Sequence, residues 1–344
     1  MLLDAIAELN QLNTLSDEQL AVLIETKSYQ EDLRQAADKV RREHYGSDVY
    51  IRGLIEFSNV CAQNCYYCGI RAENANLYRY TLSKEEVLQC CAEGYALGFR
   101  TFVLQSGENP AMSDKIICDL VFAIKSAHPD CAVTLSIGEK SRETYQSYKN
   151  AGADRYLLRH ETANDTHYRQ LHPSELSLKS RQDCLFSLKE IGFQVGSGFM
   201  VGSPGQTTQH LIEDLRFLQE LQPDMIGIGP FLSHRDTPFA QYANGDLALT
   251  LRMLSILRLM FPHALLPATT ALGTIAEDGR ERALQAGANV VMPNLSPKKY
   301  RDKYALYDNK IATGEEAAES RAALEKRVVA AGYRIVTAVG HVKK

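Results

Sequence analysis

Three cysteines, Cys61, Cys65 and Cys68, lie close together in the sequence and are separated by three and then two residues. They follow a strand-like run over residues 50–57. Three thiolates can hold three irons of a four-iron cubane, so that one iron stays open for a small ligand. The spacing therefore favours an iron–sulfur cluster that takes part in chemistry.

Other interpretations of the cysteines are possible. Their spacing is also that of one buried helix face, but on a helix Cys61 and Cys68 would stand roughly 10 Å apart along the axis and could not share one cluster. Asn59, Asn64 and Gly69 favour a loop, which can wrap three sulfurs around one centre. A structural zinc ion would need four ligands, and no second cysteine pair follows. Disulfides are disfavoured because the chain shows no secretory segment.

The composition is that of a soluble enzyme. The chain has 344 residues, of which 45% are hydrophobic, and a net charge of −4. It can bury a large core, has no basic excess for nucleic acid and has no long apolar run for a membrane. We expect a cytoplasmic protein. None of its eight cysteines follows Cys184, so we expect no second cluster near the C-terminus.

The elements that must position these cysteines form an alternating pattern. Residues 1–47 read as helices, one of which opens with a capping box from Ser16 to Gln19, and a second capping box from Ser83 to Glu86 opens a helix after the first strand. Eight strand–helix units follow, with strands predicted at 50–57, 101–105, 132–136, 155–159, 194–198, 225–229, 265–268 and 289–292. This number predicts a complete (β/α)8 TIM-type barrel, with a doubly wound open sheet as the alternative. We expect an N-terminal helical cap at 1–47, the barrel at 48–300 and a helical extension packed on it at 301–344.

Polar residues follow the predicted strands at their carboxyl ends, where a barrel of this kind carries its active site. Arg159 cannot lose its charge, so it should face a carboxylate or another anion, either in a structural pair with Glu161 or in a contact to ligand. His160 points to the other side of the strand, where hydrogen-bonded packing is expected. Three threonines are either β-forming residues or contacts to a polar ligand: Thr134, Thr269 and Thr270.

The cysteine motif, with an aromatic residue before its last cysteine, is typical of radical S-adenosylmethionine (SAM) enzymes. Beyond the motif, the chain resembles the HydE family of FeFe-hydrogenase maturases, of the biotin synthase-like group, from about residue 15 to 310. The resemblance is carried by residues 55–59, 67–69, 104–108, 154–164, 200–206, 227–230, 267–270 and 291–294. One departure is Gln206, where the superfamily usually has Glu, and HydE-like proteins share it.

The resemblance implies roles for individual residues. Cys61, Cys65 and Cys68 would bind the cluster, and the amino and carboxylate groups of SAM would occupy its open iron. The residues implied to contact SAM are Tyr67, Gln105, Ser106, Gly107, Glu108, Glu161, Arg181, Met200 and Met292. Among them, residues 106–108 would meet the methionyl amino group, Arg181 the methionyl carboxylate, and Tyr67 and Met200 the adenine. The residues implied to line a deeper substrate cavity are Thr134, Arg159, Thr269, Thr270 and Tyr304.

The resemblance also implies a function. A 5′-deoxyadenosyl radical would act on a small or organometallic substrate during assembly of the hydrogenase H-cluster. The substrate implied by the family is a cysteine-bound iron complex with carbonyl and cyanide ligands. The maturase HydG would supply it, the product would pass toward HydF, and the enzyme would be a monomer. Many family members hold a second cluster through cysteines near the C-terminus, but residues 307–320 have none, so one 4Fe-4S cluster is expected. The alternatives are a methylornithine synthase-like mutase, a biotin synthase, whose extra cluster lacks evident cysteines here, and a non-catalytic iron–sulfur sensor or scaffold.

Overall fold

The computed structural model describes residues 2–311 and 317–343. The helices are α1 (Leu2–Leu12), α2 (Asp17–Glu25), α3 (Gln30–Tyr45), α4 (Lys84–Ala96), α5 (Asp114–Ala127), α6 (Arg142–Asn150), α7 (Asp165–Leu171), α8 (Leu178–Ile191), α9 (Thr208–Leu221), α10 (Leu247–Met260), α11 (Thr270–Ile275), α12 (Gly279–Gln285), α13 (Lys298–Arg301) and α14 (Ala317–Ala330). The strands are β1 (Asp48–Ile51), β2 (Gly53–Ser58), β3 (Thr101–Ser106), β4 (Ala132–Ser136), β5 (Arg155–Leu157), β6 (Gln194–Ser197), β7 (Met200–Val201), β8 (Met225–Ile226), β9 (Gly229–Pro230), β10 (Val290–Val291) and β11 (Arg334–Val336).

Local sequence signals start the helices where they were predicted. The Ser16 side chain accepts a hydrogen bond from the Gln19 amide at 3.3 Å, and the Gln19 side chain accepts one from the Ser16 amide at 3.0 Å. Ser83 and Glu86 form the same capping box at the start of α4. Each box satisfies two backbone donors that a helix start would otherwise leave unpaired.

The strands form a ring of parallel pairs. Six of them are hydrogen-bonded in the order β2-β3-β4-β5-β6-β8. Isolated parallel bridges continue from Met225 to Leu265, from Pro267 to Val290, and from Asn294 back to Leu54 in β2. Pairing therefore passes through eight strand positions and returns to β2, whereas an open sheet would leave β2 as an edge. The fold is of the predicted TIM-barrel type.

The strand boundaries differ from those expected. The predicted strand over 50–57 divides at Arg52 into β1 and β2. The strand predicted at 155–159 ends at Leu157, so Arg159 lies in the loop beyond it. Residues 265–268 contribute only isolated bridges. A strand ends where the chain turns into the loop at its carboxyl end. Hydrophobic residues can continue past that turn, so a hydrophobic run does not show where the strand ends.

The amino-terminal end of the barrel is closed by the C-terminal tail. Strand β11 pairs with β1 in parallel, and the tail then crosses under the ring. Arg155, which is 3% exposed, donates from Nη2 to the carbonyls of Val339 at 3.0 Å and Gly340 at 3.1 Å. Burial lowers the pKa of Arg155 to about 10. These carbonyls compensate a buried cation that would otherwise be costly.

The division into a cap, a barrel and an extension stays a prediction. Helix α3 packs against α10 on the outside of the barrel, and one continuous hydrophobic core includes both the N-terminal helices and the barrel strands. Residues 312–316 of the predicted extension lie outside the described residues. No helix within the described part of the chain has both the length and the apolar character that a membrane span needs.

Candidate active site

The three cysteines lie in an irregular loop after β2, and the interpretation as one helix face is wrong. All three are free thiols, and all three line one cavity of about 380 Å³ at the carboxyl ends of the strands. The amide of Cys68 donates to the carbonyl of Cys65 at 3.3 Å, so the chain turns back between them. The loop thus brings residues seven positions apart to one wall.

Buried polar contacts hold this loop in place. Asn59 is 0% exposed, and its Nδ2 donates to the carbonyls of Tyr78 at 2.8 Å and Lys303 at 2.7 Å. Its Oδ1 accepts from the Tyr80 amide at 2.8 Å. Arg79 donates to the carbonyls of Asn59 and Ile70 at 2.7 and 2.8 Å. A loop whose backbone groups are paired in this way is fixed before any cofactor binds.

Gly107 allows the loop after β3 to contact the cysteine loop. A Cβ atom at this position would lie 2.5 Å from the Val60 carbonyl oxygen and 2.6 Å from Cys61 Cβ. These distances are shorter than any normal carbon contact. The residue is therefore glycine because two loops of the site meet at its backbone.

The three cysteine thiols line one cavity but are not arranged around a single metal ion. Among the described residues, no group of three or more His, Cys, Asp or Glu side chains is arranged to hold one metal ion. A cubane asks for a wider arrangement, because each thiolate binds a different iron. Burial raises the pKa of Cys65 to about 12, so the thiolates need cations beside them. The Gln63 amide donates to Cys61 Sγ at 3.4 Å, as suits a sulfur ligand.

Glu108 is locked beside the cysteine loop. Its Oε2 accepts from Gln63 Nε2 at 2.8 Å and its Oε1 from the Glu139 amide at 3.1 Å. A Cβ atom at Gly138 would lie 2.1 Å from Glu108 Cγ, so this glycine makes room for the carboxylate. Ser106 and Gly107, the other predicted contacts to the methionyl amino group, line the same cavity.

Arg181 reaches the cavity from α8. Its Nη2 lies 2.9 Å from Glu139 Oε1, and it also donates to Tyr168 Oη at 3.2 Å and to the Arg159 carbonyl at 3.1 Å. Glu139 was not predicted from the sequence, but it balances this charge. These contacts hold the guanidinium in a fixed position at the cavity wall.

Apolar and aromatic side chains form the neighbouring wall. Met200 is buried in a small cluster with Leu171, Phe231 and Phe239, against which Tyr67 packs. Tyr67 and Met200 both line the cavity, as do Gln105 and Met292. A flat apolar wall beside a cluster loop suits an aromatic ring of the ligand.

Arg159 and Glu161 lie together at the cavity wall. Arg159 Nη2 and Glu161 Oε2 are 3.1 Å apart, in an ion pair whose angle does not make a hydrogen bond. Arg159 Nε, Arg159 Nη2 and Glu161 Oε2 are buried without a hydrogen-bond partner among the described residues. Glu161 has φ 66°, a conformation that residues other than glycine adopt rarely. The predicted structural pair forms, and it keeps unused donors and an unused acceptor.

Thr269 and Thr270 directly follow the strand predicted at 265–268 and stand at the start of α11. Thr269 occupies the N-cap position without making a capping hydrogen bond, and its Oγ1 is buried with no partner among the described residues. Both threonines line the cavity, as does Tyr304, whose hydroxyl accepts from Gln105 Nε2 at 3.3 Å.

Thr134 does not reach this cavity. It lines a separate small cavity beneath, with Arg52 and Arg155, whereas Ser136 on the same strand faces the large cavity. Inward-facing side chains of alternate barrel positions stack in layers, and Thr134 is one layer too low. All other residues predicted for the cluster, SAM or the substrate line the large cavity.

Several cavity residues were missed by sequence reasoning. Glu56 is 1% exposed, accepts from Asn294 Nδ2 at 2.7 Å and pairs with Lys310. Lys310 also donates to the Tyr304 carbonyl at 2.9 Å, and Tyr307 lies beside it on the wall. A lone carboxylate inside the apolar strand β2 was a usable signal for Glu56. Lys310 and Tyr307 lie in a segment without a periodic hydrophobic pattern, so no sequence signal pointed to them.

His160 has the packing role that was expected. It is 0% exposed, and its ring nitrogens lie 3.0 Å from Ser197 Oγ and 3.2 Å from Asp214 Oδ1. Burial lowers its pKa well below the usual value, so the ring stays neutral. It points away from the cavity that Arg159 lines.

Comparison with known proteins places this cavity in context. Residues 55–218 match the Radical SAM superfamily. The chain is 49% identical over 296 residues to the [FeFe] hydrogenase maturase subunit HydE of Thermotoga maritima, which covers 86% of this chain and 84% of that protein. It is 30% identical over 299 residues to the 3-methylornithine synthase of Methanosarcina acetivorans, covering 86% of this chain and 83% of that one.

Two solved structures share the fold. The crystal structure of methylornithine synthase (PylB) superposes with a TM-score of 0.86 at 28% identity and covers 96% of this chain and 97% of that chain. The crystal structure of HydG, a maturase of the [FeFe]-hydrogenase, superposes with a TM-score of 0.82 over 98% of this chain and 76% of that chain. Its 18% identity establishes likeness of fold alone.

Proposed function

The chain belongs to the radical SAM superfamily and is a HydE-like enzyme of it, and from this premise we propose that it acts in the maturation of FeFe hydrogenases. One observation supports a catalytic role above the others. The same cavity is lined by the cysteine loop and by Arg159, Glu161 and Thr269, which carry buried polar atoms without a hydrogen-bond partner among the described residues. A site of this composition can bind a reactive cofactor and a polar substrate side by side.

The superfamily uses SAM and a 4Fe-4S cluster, which together supply a 5′-deoxyadenosyl radical. Cys61, Cys65 and Cys68 would hold the cluster. Residues 106–108 would meet the methionyl amino group and Arg181 the methionyl carboxylate. The wall formed by Tyr67 and Met200 would take the adenine. The rest of the wall keeps water out, because a radical reacts with whatever lies nearest.

We propose that the substrate is a cysteine-bound iron complex with carbonyl and cyanide ligands. A bound cysteine offers a carboxylate to Arg159 and Thr269 and an ammonium group to Glu161, whose buried polar atoms lack hydrogen-bond partners within the described part of the chain. In this scheme HydG supplies the substrate, HydF receives the product, and the enzyme works as a monomer in the cytoplasm.

Reconstitution tests the proposal. The protein is loaded with iron and sulfide without oxygen and given SAM and dithionite, with HydG, HydF and an immature FeFe hydrogenase. We expect 5′-deoxyadenosine and hydrogen evolution, and a Cys65→Ser control should give neither. A sensor or scaffold would produce no 5′-deoxyadenosine. Formation of 5′-deoxyadenosine without hydrogenase activity would reject the maturase role.

A methylornithine synthase-like mutase is the second candidate, because PylB superposes over almost the whole chain. The same reconstituted protein can be incubated with lysine and SAM. Formation of 3-methylornithine would favour this function over the maturase, whereas a maturase should leave lysine unchanged.

We also propose that the protein holds a single 4Fe-4S cluster, since no cysteine follows Cys184. Anaerobically reconstituted protein should contain about four irons per chain, the cubane stoichiometry. Iron should be almost completely lost when Cys61, Cys65 and Cys68 are all replaced by serine. About eight irons per chain in an active, homogeneous sample would contradict a single cluster.

A further inference from the structure

The C-terminal end of helix α7 contacts Tyr67 and Arg181, two residues that are proposed to bind SAM. The carbonyl of Leu171 accepts from the Tyr66 amide at 2.9 Å, and His172 Nε2 lies 3.2 Å from the Tyr67 hydroxyl. One turn earlier, Tyr168 Oη accepts from Arg181 Nε at 3.2 Å. We propose that His172 is a positioning residue for SAM binding, which acts by holding the ring of Tyr67 in its place on the cavity wall. The proposal rests on Tyr67 contacting the cofactor and is independent of the substrate.

The hydrogen bonds of His172 fix its tautomer. Its Nδ1 lies 3.0 Å from the carbonyl oxygen of Tyr168, which can only accept, so Nδ1 carries the proton. Nε2 then has a lone pair and accepts the hydrogen bond from the Tyr67 hydroxyl. The hydrogen bond to the Tyr168 carbonyl thus sets the direction of the hydrogen bond between His172 and Tyr67, in which the Tyr67 hydroxyl is the donor.

The surroundings hold the imidazole rigidly. His172 is 1% exposed, and its ring stacks on Tyr168 with centroids 4.0 Å apart and planes 21° apart. Tyr67 meets it edge-on, with centroids 5.4 Å apart and planes 89° apart. Burial, with a smaller contribution from the nearby Arg181 charge, lowers the pKa of His172 to about 3. The ring therefore stays neutral and remains an acceptor throughout the neutral pH range.

This arrangement matters for SAM because Tyr67 directly precedes the cluster ligand Cys68. Its ring lines the cavity beside Met200, where the adenine is proposed to lie. An aromatic wall that is already fixed loses little side-chain freedom when a ligand packs on it, so binding is tighter. Neither residue needs to exchange a proton for this effect.

A double-mutant cycle tests the inference. SAM affinity is measured calorimetrically on anaerobically reconstituted Tyr67→Phe, His172→Phe and the double variant. Each single change breaks the same hydrogen bond and should weaken SAM binding by about 3- to 10-fold, the worth of one neutral bond. The SAM affinity of the double variant should lie within about twofold of that of the more impaired single variant, because all three variants lose the same hydrogen bond.

His128 offers a matched control. It also follows a helix end, at α5, and also stacks on a tyrosine, Tyr95, with centroids 4.6 Å apart. His172 contacts Tyr67, which lines the cavity, whereas Tyr95 does not line it. His128→Phe should leave SAM affinity unchanged. An equal loss in His128→Phe and His172→Phe would overturn the inference, as would additive losses in the cycle or full affinity in Tyr67→Phe.

A second measurement needs neither cofactor nor activity. Long-range ¹H–¹⁵N spectra of the unaltered, cluster-free protein should show His172 with a protonated Nδ1 and an unprotonated Nε2 between about pH 6 and 8. A protonated Nε2 would overturn the inference. If His172→Phe does not fold, this tautomer decides the question together with the affinity of Tyr67→Phe.

Discussion

Each cation that lines the cavity has a carboxylate beside it. Arg159 pairs with Glu161, Arg181 with Glu139, and Lys310 with Glu56. Such pairing lowers the cost of placing charges where they are partly withdrawn from water. The three ion pairs differ in how many hydrogen-bond donors of the cation have a protein partner. Arg181 and Lys310 make further hydrogen bonds to protein atoms, whereas two nitrogens of Arg159 have no hydrogen-bond partner among the described residues. Arg159 is therefore the cation with the most capacity for substrate.

Arg159→Lys tests this capacity. Lysine keeps the charge but lacks the planar fork, so substrate binding should weaken by about 1.5–3 kcal/mol, the worth of a charged hydrogen bond. We expect hydrogenase maturation to be lost while substrate-free 5′-deoxyadenosine formation largely remains. Both are measured in the same reconstituted preparation. Unchanged maturation would show that the residue serves only the ion pair with Glu161.

Thr269→Val removes one buried hydroxyl at nearly constant volume. If Thr269 Oγ1 binds substrate, its loss leaves a ligand group unpaired and costs about 1–3 kcal/mol in substrate binding. The measurement is substrate-dependent turnover beside substrate-free 5′-deoxyadenosine formation. Thr134→Val is the matched control, because Thr134 Oγ1 is also buried without a hydrogen-bond partner in residues 2–311 and 317–343 but lies outside the large cavity. Loss of SAM cleavage in Thr269→Val, with the cluster intact, would place this residue at the cofactor instead.

At the scale of elements, the site is made by loops that follow short strands and contact one another. The cysteine loop is held by Asn59 and Arg79, and the loop after β3 touches it at Gly107. Because these loops contact one another, the residues that follow separate strands form one continuous cavity wall. The distance between neighbouring loops therefore decides whether three thiolates can share a cluster.

Gly107→Ala tests this contact between loops. The added methyl group would meet the Val60 carbonyl and Cys61 Cβ at 2.5 and 2.6 Å, so one loop must move. We expect the iron content after reconstitution to fall by at least half. Gly227→Ala is the matched control on the same cavity wall, since its methyl group would meet the nearest atom, Pro267 Cγ, at 3.7 Å. Equal iron content in both variants would show that the loops have room to separate.

At the scale of the molecule, two stretches of the C-terminal segment lie at the two ends of the barrel. Residues 303–311 reach over the carboxyl ends of the strands, where Tyr304, Tyr307 and Lys310 join the cavity wall. The tail at 339–341 supplies carbonyls to two buried cations at the opposite end, Arg155 and Arg52. Chain segments therefore lie at both ends of the ring, and a radical reaction needs such cover to exclude water.

Deletion of residues 339–344 should destabilise the whole molecule. Arg155 would lose three hydrogen bonds, to the Val339 and Gly340 carbonyls and to His341, and would keep those to Gln194 and Thr101. A hydrogen bond from a buried charged donor is worth about 1.5–3 kcal/mol. We expect a clearly lower urea midpoint for unfolding. The control is deletion of residues 342–344 alone, which keeps these partners. Equal midpoints for the two shortened proteins would show that the tail carbonyls contribute nothing to stability.

The sequence by itself determined the features that depend on local chemistry. Three cysteines among turn-forming residues indicated a cluster loop, because only an irregular backbone brings spacings of three and two residues to one centre. Capping boxes at Ser16 and Ser83 fixed two helix starts, since those bonds involve residues three positions apart. Alternating strand and helix patterns indicated a TIM-type barrel, and with it the edge of the ring on which polar residues would gather.

Only the tertiary structure decided which of those polar residues share a cavity. Thr134 and Ser136 look alike in the sequence, yet barrel layering separates them, because layer depends on the tilt of a strand in the closed ring. Glu139, Lys310 and His172 have no local signature, since their partners lie 42, 254 and 105 positions away in Arg181, Glu56 and Tyr67. Contacts at such separations form only when the ring closes. The sequence therefore determined the chemistry available to this protein, and the closed barrel decided which groups meet to perform it.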